Sequence, residues 1–306
     1  MPYLNPPTKD QYQDILKDIG TDEETIKRDV KYLMEWLEQT AYLPSVKDEE
    51  FFTAILVRCK NQMEKAKSFL DYYYSRRTLE SDMFACRDPC DSELKRSIEL
   101  FPIFPLPKLT PEGYRILIYS SPKQSNIPKM SYILSAWQMQ MEILLKSDIS
   151  KGLILIGDSI NFSISQSTLF LAEFKKILDI LKKTSKTRYK DSYMINVTPA
   201  LNTFFNATKQ FLSGKLLGRV QTWTKKPEDL VEVLPKHVLP SEFGGDERSL
   251  EELKKAWYDF VMEHRDWFEV KENLKADLTK RPEDDPLSEE FSSFGLSGTF
   301  RKITLD

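Results

Sequence analysis

The chain has 306 residues, 41% of them hydrophobic and 30% charged, with a formal net charge of -3. That length and apolar content exclude a chain disordered throughout and allow either one large domain or two modest ones. No apolar run approaches the length of a membrane span, and Met1 is not followed by a basic stretch and an apolar leader, so a soluble, cytosolic protein is expected. Cys59, Cys86 and Cys90 are an odd number of cysteines, which fits free thiols in a reducing compartment. The near-balanced charge hides an asymmetry: Ile180 to Pro227 holds ten Lys or Arg against one acid, Asp191. That stretch carries +9 and the remainder -12.

The first section reads as helix. Thr21 with Glu24 three residues later forms a capping-box pattern, and Ile26, Val30, Leu33, Met34 and Leu37 follow on one face. Asp48-Glu49-Glu50 opens a second helix with Phe51, Phe52, Ile55, Leu56 and Cys59 inward. Met63, Ala66, Leu70, Tyr73 and Tyr74 mark a third, and the faces are expected to pack as a small bundle. Ser92 to Leu100 is one more short helix. Phe101 to Pro107, with three prolines, is expected to be irregular, and the domain boundary falls within residues 80 to 107.

Beyond it the period changes. Arg115 to Ser120, Gly152 to Gly157, Tyr193 to Val197 and Arg219 to Thr222 have the length and composition of strands. Helical patterns at Lys129 to Leu145, Gln166 to Leu181 and Pro199 to Leu212 lie between them, which implies an α/β domain with a mainly parallel sheet and right-handed crossovers. Thr198 is a natural N-cap with Pro199 in the first helical position. Leu201, Phe204, Phe205, Thr208, Phe211 and Leu212 then make one nearly continuous apolar face, and Gly214 reads as its stop. Lys215 and Arg219, with Leu216, Leu217 and Val220, form a basic but still oily foot. A short helix is expected at Pro227. Ser249 to Glu252 is a second capping box, opening a helix with Leu250, Leu253, Trp257, Phe260 and Val261 inward. From about Glu269 the chain turns polar and is expected to run over the surface, with Phe291 to Ile303 docking back as extended chain.

Leu239-Pro240-Ser241-Glu242-Phe243-Gly244-Gly245 resembles the Leu-Pro-x-Glu-aromatic-Gly-Gly signature of the CRAL-TRIO lipid-binding family, which includes the tocopherol and retinaldehyde transfer proteins. Gly152 to Asp158 is similar to that family's central strand, Ile195 to Pro199 to its strand leading into a mobile gate helix, and Phe211-Leu212-x-x-Lys215 to the end of the gate. Asp48 to Arg77 resembles its N-terminal helical domain. The resemblance covers roughly residues 20 to 265. It implies a small all-helical domain over 1–90, a lipid-binding domain over 91–246 in which a sheet and flanking helices enclose a cavity under the gate, and a C-terminal helix and tail over 247–306.

By the same resemblance, the implied function is intracellular binding and transfer of a tocopherol, retinoid, carotenoid, terpenoid or sterol, with gate opening at anionic membranes. The alternative is phospholipid or phosphoinositide transfer, or a lipid-sensing scaffold that does not exchange cargo. The implied cavity wall comprises Tyr132, Ser135, Met139, Ile154, Ile156, Ile177, Ile180, Leu181, Phe204 and Phe205, with Ser135 the candidate partner of a ligand hydroxyl. Lys190, Lys215 and Arg219 fall where members with phosphoinositide-assisted release carry basic residues, although Lys190 replaces an arginine and so loses its planar two-pronged contact. The basic triplet expected around Ala54, Val57 and Cys59 is missing, with Arg58 and Lys60 the nearest cations.

Catalytic readings are weaker. Gly157-Asp158-Ser159 resembles an esterase nucleophile block, but neither His237 nor His264 has aspartate three residues before it, and Asp158 reads as a strand-end aspartate capping nearby backbone. No phosphate-binding glycine loop follows any strand, and Cys86-x-x-x-Cys90 has no second pair or histidine to complete a zinc site. No enzyme activity, metal, cofactor or nucleic-acid partner is expected. The partners implied are a small hydrophobic ligand and an anionic membrane surface met peripherally by a monomer.

Overall fold

The computed structural model describes residues 3–80, 88–123, 126–184 and 188–282, with the side chains of 175, 176 and 178–184 outside that description. Cys86 and the segment Phe291 to Ile303 therefore lie outside the described residues. Helices α1 (Lys9–Asp18), α2 (Glu23–Gln39), α3 (Glu49–Arg58) and α4 (Met63–Leu79) come first, followed by α5 (Ser92–Leu100). The first four pack around Ile15, Leu33, Phe52, Leu56, Phe69 and Tyr74. The α2 cap is Asp22, whose carboxylate accepts from Thr25 N at 2.8 Å; Thr21, the residue expected there, instead receives a hydrogen bond from Asn61.

The sheet has five strands in sequential order: β1 (Ile103–Leu109), β2 (Tyr114–Ser120), β3 (Gly152–Asp158), β4 (Tyr189–Ile195) and β5 (Val220–Thr222). β1 runs antiparallel to β2 and the other pairs are parallel. β1 corrects the expectation of irregular chain. Pro105 and Pro107 are tolerated because β1 is an edge with a register shift between Pro105 and Leu109, where a missing N–H breaks no essential ladder bond. Its outer side is met by the N-terminal segment, with Asn5 N donating to Pro107 O and Tyr3 Oη to Pro105 O.

Three helices connect or follow the parallel strands: α6 (Met130–Ser147), α7 (Ile164–Thr184) and α8 (Pro199–Thr208). Each step from strand to parallel strand moves the same way across the sheet, so crossovers of one hand leave their helices on one face. Ile116, Ile118, Ile154, Ile156, Tyr193 and Ile195 belong to the main core, which also takes in Leu230, Leu234 and Val238 from the 3-10 turns after β5. The short helix expected at Pro227 is one of those turns, Pro227–Glu232.

The signature heptad is a structural turn. Glu242 accepts from Leu250 N, the first residue of α10 (Leu250–Glu263), and Phe243 is buried. Gly244 has φ +75°, and a Cβ on Gly245 would stand 1.8 Å from Leu239 O, so that approach requires glycine. A helix α9 (Gly214–Leu217) precedes β5. Gly214, expected as a stop, opens it, because Ser213 caps it by accepting from Leu216 N. The chain after Glu269 is also not simply superficial: α11 (Arg265–Glu272) buries Phe268 and Lys271. The following segment crosses the N-terminal bundle, with Ala276 N donating to Tyr74 O and Asp277 N to Tyr42 O. No helix among the described residues is long and apolar enough to cross a membrane.

Candidate functional site

A cleft of about 240 Å³ lies between the sheet and α6, α7 and α8. The sheet contributes Tyr119 and Met194, which flank Gly157 in register. Side chains alternate along a strand, so Ile154 and Ile156 lie on the opposite face from Gly157, inside the main core. The wall position expected for those two residues is thereby corrected to Tyr119 and Met194. α6 contributes Trp137; Tyr132, Ser135 and Met139 lie off the cleft, Met139 being fully buried in the main core. α7 supplies Phe170, Phe174 and Ile177, four and three residues apart on one face, so Ile177 lines the cleft. The side chains of Ile180 and Leu181 lie outside the described residues. α8 adds Leu201 and Phe204, while Phe205 is half-buried and off the lining.

The walls are aromatic rings in mutual contact. Trp137 stacks on Phe170 at 5.8 Å between centroids, and Phe162 stacks on Phe170 at 6.4 Å. Phe204 meets Phe162 edge-on at 5.6 Å and Phe174 at 5.5 Å. Such offset and edge contacts are each worth about 0.5–1.5 kcal/mol beyond area burial. They matter because α8 has little else holding it down: Thr208 is its one buried residue.

The entry to α8 is pinned more firmly. Thr198 Oγ1 accepts from Leu201 N at 3.2 Å and donates to Phe162 O at 3.0 Å. Asn196 sits at φ +51°, a left-handed conformation asparagine tolerates, and its Nδ2 donates to Asp158 Oδ1 at 2.9 Å. Asp158 also accepts from Ile160 N, the capping role expected for it. Ser159 Oγ donates to Ile195 O at 3.1 Å, and neither His237 nor His264 is among the cleft residues. Ser120, Ser121, Asp158 and Ser159 thus make one polar end, at the carboxyl ends of β2 and β3.

The basic residues gather at the other end of the sheet. α8 starts at the carboxyl end of β4, and the chain must return to the amino end to begin β5 in parallel. Lys190 and Arg219 accordingly lie at neighbouring strand starts, and the Arg219 guanidinium donates to Tyr189 O. Lys190 and Lys215 are exposed; Arg219 is half-buried by its tie to the backbone. Arg58 is not available to a surface: its side chain is buried, donating to Leu144 O at 3.2 Å and facing Asp148 at 3.8 Å. Ala54, Val57 and Cys59 around it are buried.

Residues 104–245 match the model described as CRAL/TRIO domain. This chain carries a CRAL/TRIO domain. The family is one of lipid-binding and lipid-transfer proteins. Residues 22–94, before the CRAL/TRIO domain, match the Pinta-like UBA domain. The chain is 25% identical over 224 residues to a mouse protein named alpha-tocopherol transfer protein-like, covering 71% of this chain and 64% of that one. The match therefore takes in less than two thirds of the mouse protein's own length. It is 24% identical over 250 residues to clavesin-1 of Xenopus laevis, covering 79% of this chain and 74% of that one. The crystal structure of Sfh5 aligns at a TM-score of 0.48 and 13% identity, over 86% of this chain and 99% of that chain.

Besides Ile177 and Phe204, the cleft is lined by Phe101, Tyr119, Trp137, Phe162, Phe170, Phe174, Met194 and Leu201, none of which the sequence pattern singles out as a wall residue. The spacing of Phe170, Phe174 and Ile177 was a usable signal. Nothing local marked Tyr119, whose place depends on the neighbouring strands.

Proposed function

We propose that the aromatic cleft holds one small hydrophobic molecule and that the protein carries it between membranes, α8 swinging out as a gate to let it pass. The observation that carries this reading is the attachment of α8. A pinned entry at Thr198 is followed by a ten-residue helix that buries Thr208 alone and rests on α7 through rings. Sites for drug-sized ligands measure about 300–1,000 Å³. A cleft of about 240 Å³ is smaller, so a larger guest must displace the cover to enter. The name of the mouse relative, alpha-tocopherol transfer protein-like, supports cargo of that class.

Lys190 and Lys215 give an anionic membrane a place to act, each worth about 1 kcal/mol near such a surface. Docking there must favour the open gate over the closed one, because a surface attracted equally to both shifts nothing. The expected setting is cytosolic with peripheral membrane association. Native mass spectrometry of the purified protein, followed by dequenching transfer of a fluorescent tocopherol between vesicles, tests the proposal. The expected result is one bound molecule and transfer that quickens with anionic lipid. A tight complex that never exchanges would replace the carrier with a lipid-sensing scaffold.

A further inference from the structure

Tyr119 occupies the middle of the cleft floor in an unusual way. Its side chain crosses the neighbouring strand at Gly157, where a Cβ would stand 2.4 Å from the phenol oxygen, and its hydroxyl ends 3.1 Å from Met194 Sδ on the strand beyond. A glycine at 157 is therefore what lets the ring lie across the floor. The acceptor it reaches is a thioether, a weak one. Burial, with a smaller contribution from Tyr189, pushes the hydroxyl up to about 12, so it remains a proton donor throughout the physiological range.

The other polar groups of the cleft are differently placed. Asp158 Oδ1 and the Ser159 hydroxyl already bind Asn196 and the Ile195 carbonyl, and they stand with Ser120 and Ser121 at the ends of the strands. An aspartate at that end also opposes an anionic head group. A buried donor held by a weak acceptor among rings is stabilised by exchanging it for a better one.

We infer that Tyr119 is a specificity-determining residue, whose hydroxyl turns from Met194 to a carbonyl or ether oxygen on the ring system of a neutral, apolar cargo. This rests on the carrier reading above and narrows it. The cargo class is ring-bearing molecules with an acceptor oxygen, in preference to fatty acids, phospholipids and plain hydrocarbons.

The test uses two small probes, because a cavity of about 150 Å³ already takes benzene and one of about 240 Å³ suits two fused rings. Binding of 2-acetylnaphthalene and of 2-ethylnaphthalene, which lacks the oxygen, is measured by calorimetry on the full chain and on Tyr119→Phe and Met194→Leu. The expected result is a preference for the ketone of about three- to tenfold in the parent, the worth of one neutral hydrogen bond. Tyr119→Phe abolishes it, and Met194→Leu, which removes the competing sulfur, keeps or widens it. Equal affinities in the parent, or a preference that survives Tyr119→Phe, overturn the assignment with the carrier reading intact. Binding of neither probe counts against the cleft as a binding site and overturns both.

Discussion

Replacing Phe204 with alanine separates a gate from an ordinary core helix. The ring makes edge contacts with Phe162 at 5.6 Å and Phe174 at 5.5 Å, together worth about 1–3 kcal/mol. Phe204 is half-buried, so lost area adds about 1 kcal/mol. The docked state of α8 should weaken by about 2–4 kcal/mol, roughly 30- to several-hundredfold in its equilibrium with an undocked one. Alanine is itself the better helix former, so faster exchange in α8 cannot come from a weakened helix. Hydrogen exchange read at 199–208 and at β3 is the assay. The expected result is that α8 opens at a lower free energy than β3 in the parent, that its exchange is faster by that factor in the variant, and that the melting temperature falls by several degrees. Equal opening free energies for α8 and β3, in parent and variant alike, would show that α8 opens only with the whole domain, and the gate argument would fall.

Three further expectations concern charge. Lys271 is buried with no hydrogen-bond partner for its ammonium, which lies 4.4 Å from the centre of the Phe51 ring and 5.2 Å from that of Trp267. Burial and the neighbouring Arg77 push it down to about 8, against Glu142 and Asp48. The unfolded chain then binds the extra proton between about pH 8 and 10.5, so stability rises with pH across that window. Lys271→Met should melt higher at pH 7 and lose that rise, and melts at pH 7 and 9.5 that show a less stable variant at both would refute this. Arg77 and Glu142 form a buried pair at 2.6 Å, so Arg77→Met should cost about 3–5 kcal/mol in urea unfolding, with Glu142→Leu in the same chain recovering much of it. Lys190→Ala with Lys215→Ala should slow transfer to anionic vesicles about fivefold per residue and leave transfer to neutral vesicles unchanged. Arg219 is left out of that pair because its guanidinium also holds Tyr189 O.

Local pattern was enough for much of the fold. Ser92 to Leu100 is the helix its periodicity predicts, Ser249 caps α10 through the box it spells, and Thr198 with Pro199 opens α8 as cap and first residue. These features depend on residues three or four apart, which any chain brings together whatever its neighbours do. The mainly parallel sheet followed from alternation of strand and helix, with Leu-Pro-x-Glu-aromatic-Gly-Gly as an independent marker of the family. Edge position was not legible, and it alone makes a strand of the proline-rich Ile103–Leu109. The phase of β3 was equally hidden. Its alternation separates Ile154 and Ile156 from Leu155 and Gly157, but only the crossovers decide which set meets the cleft. The roles of Arg58, Arg219 and Lys271 belong to the same class, each set by groups distant in sequence. Sequence fixes what short-range geometry can enforce, whereas the cleft is made where elements from Phe101 to Phe204 converge, and that convergence exists only in the folded chain.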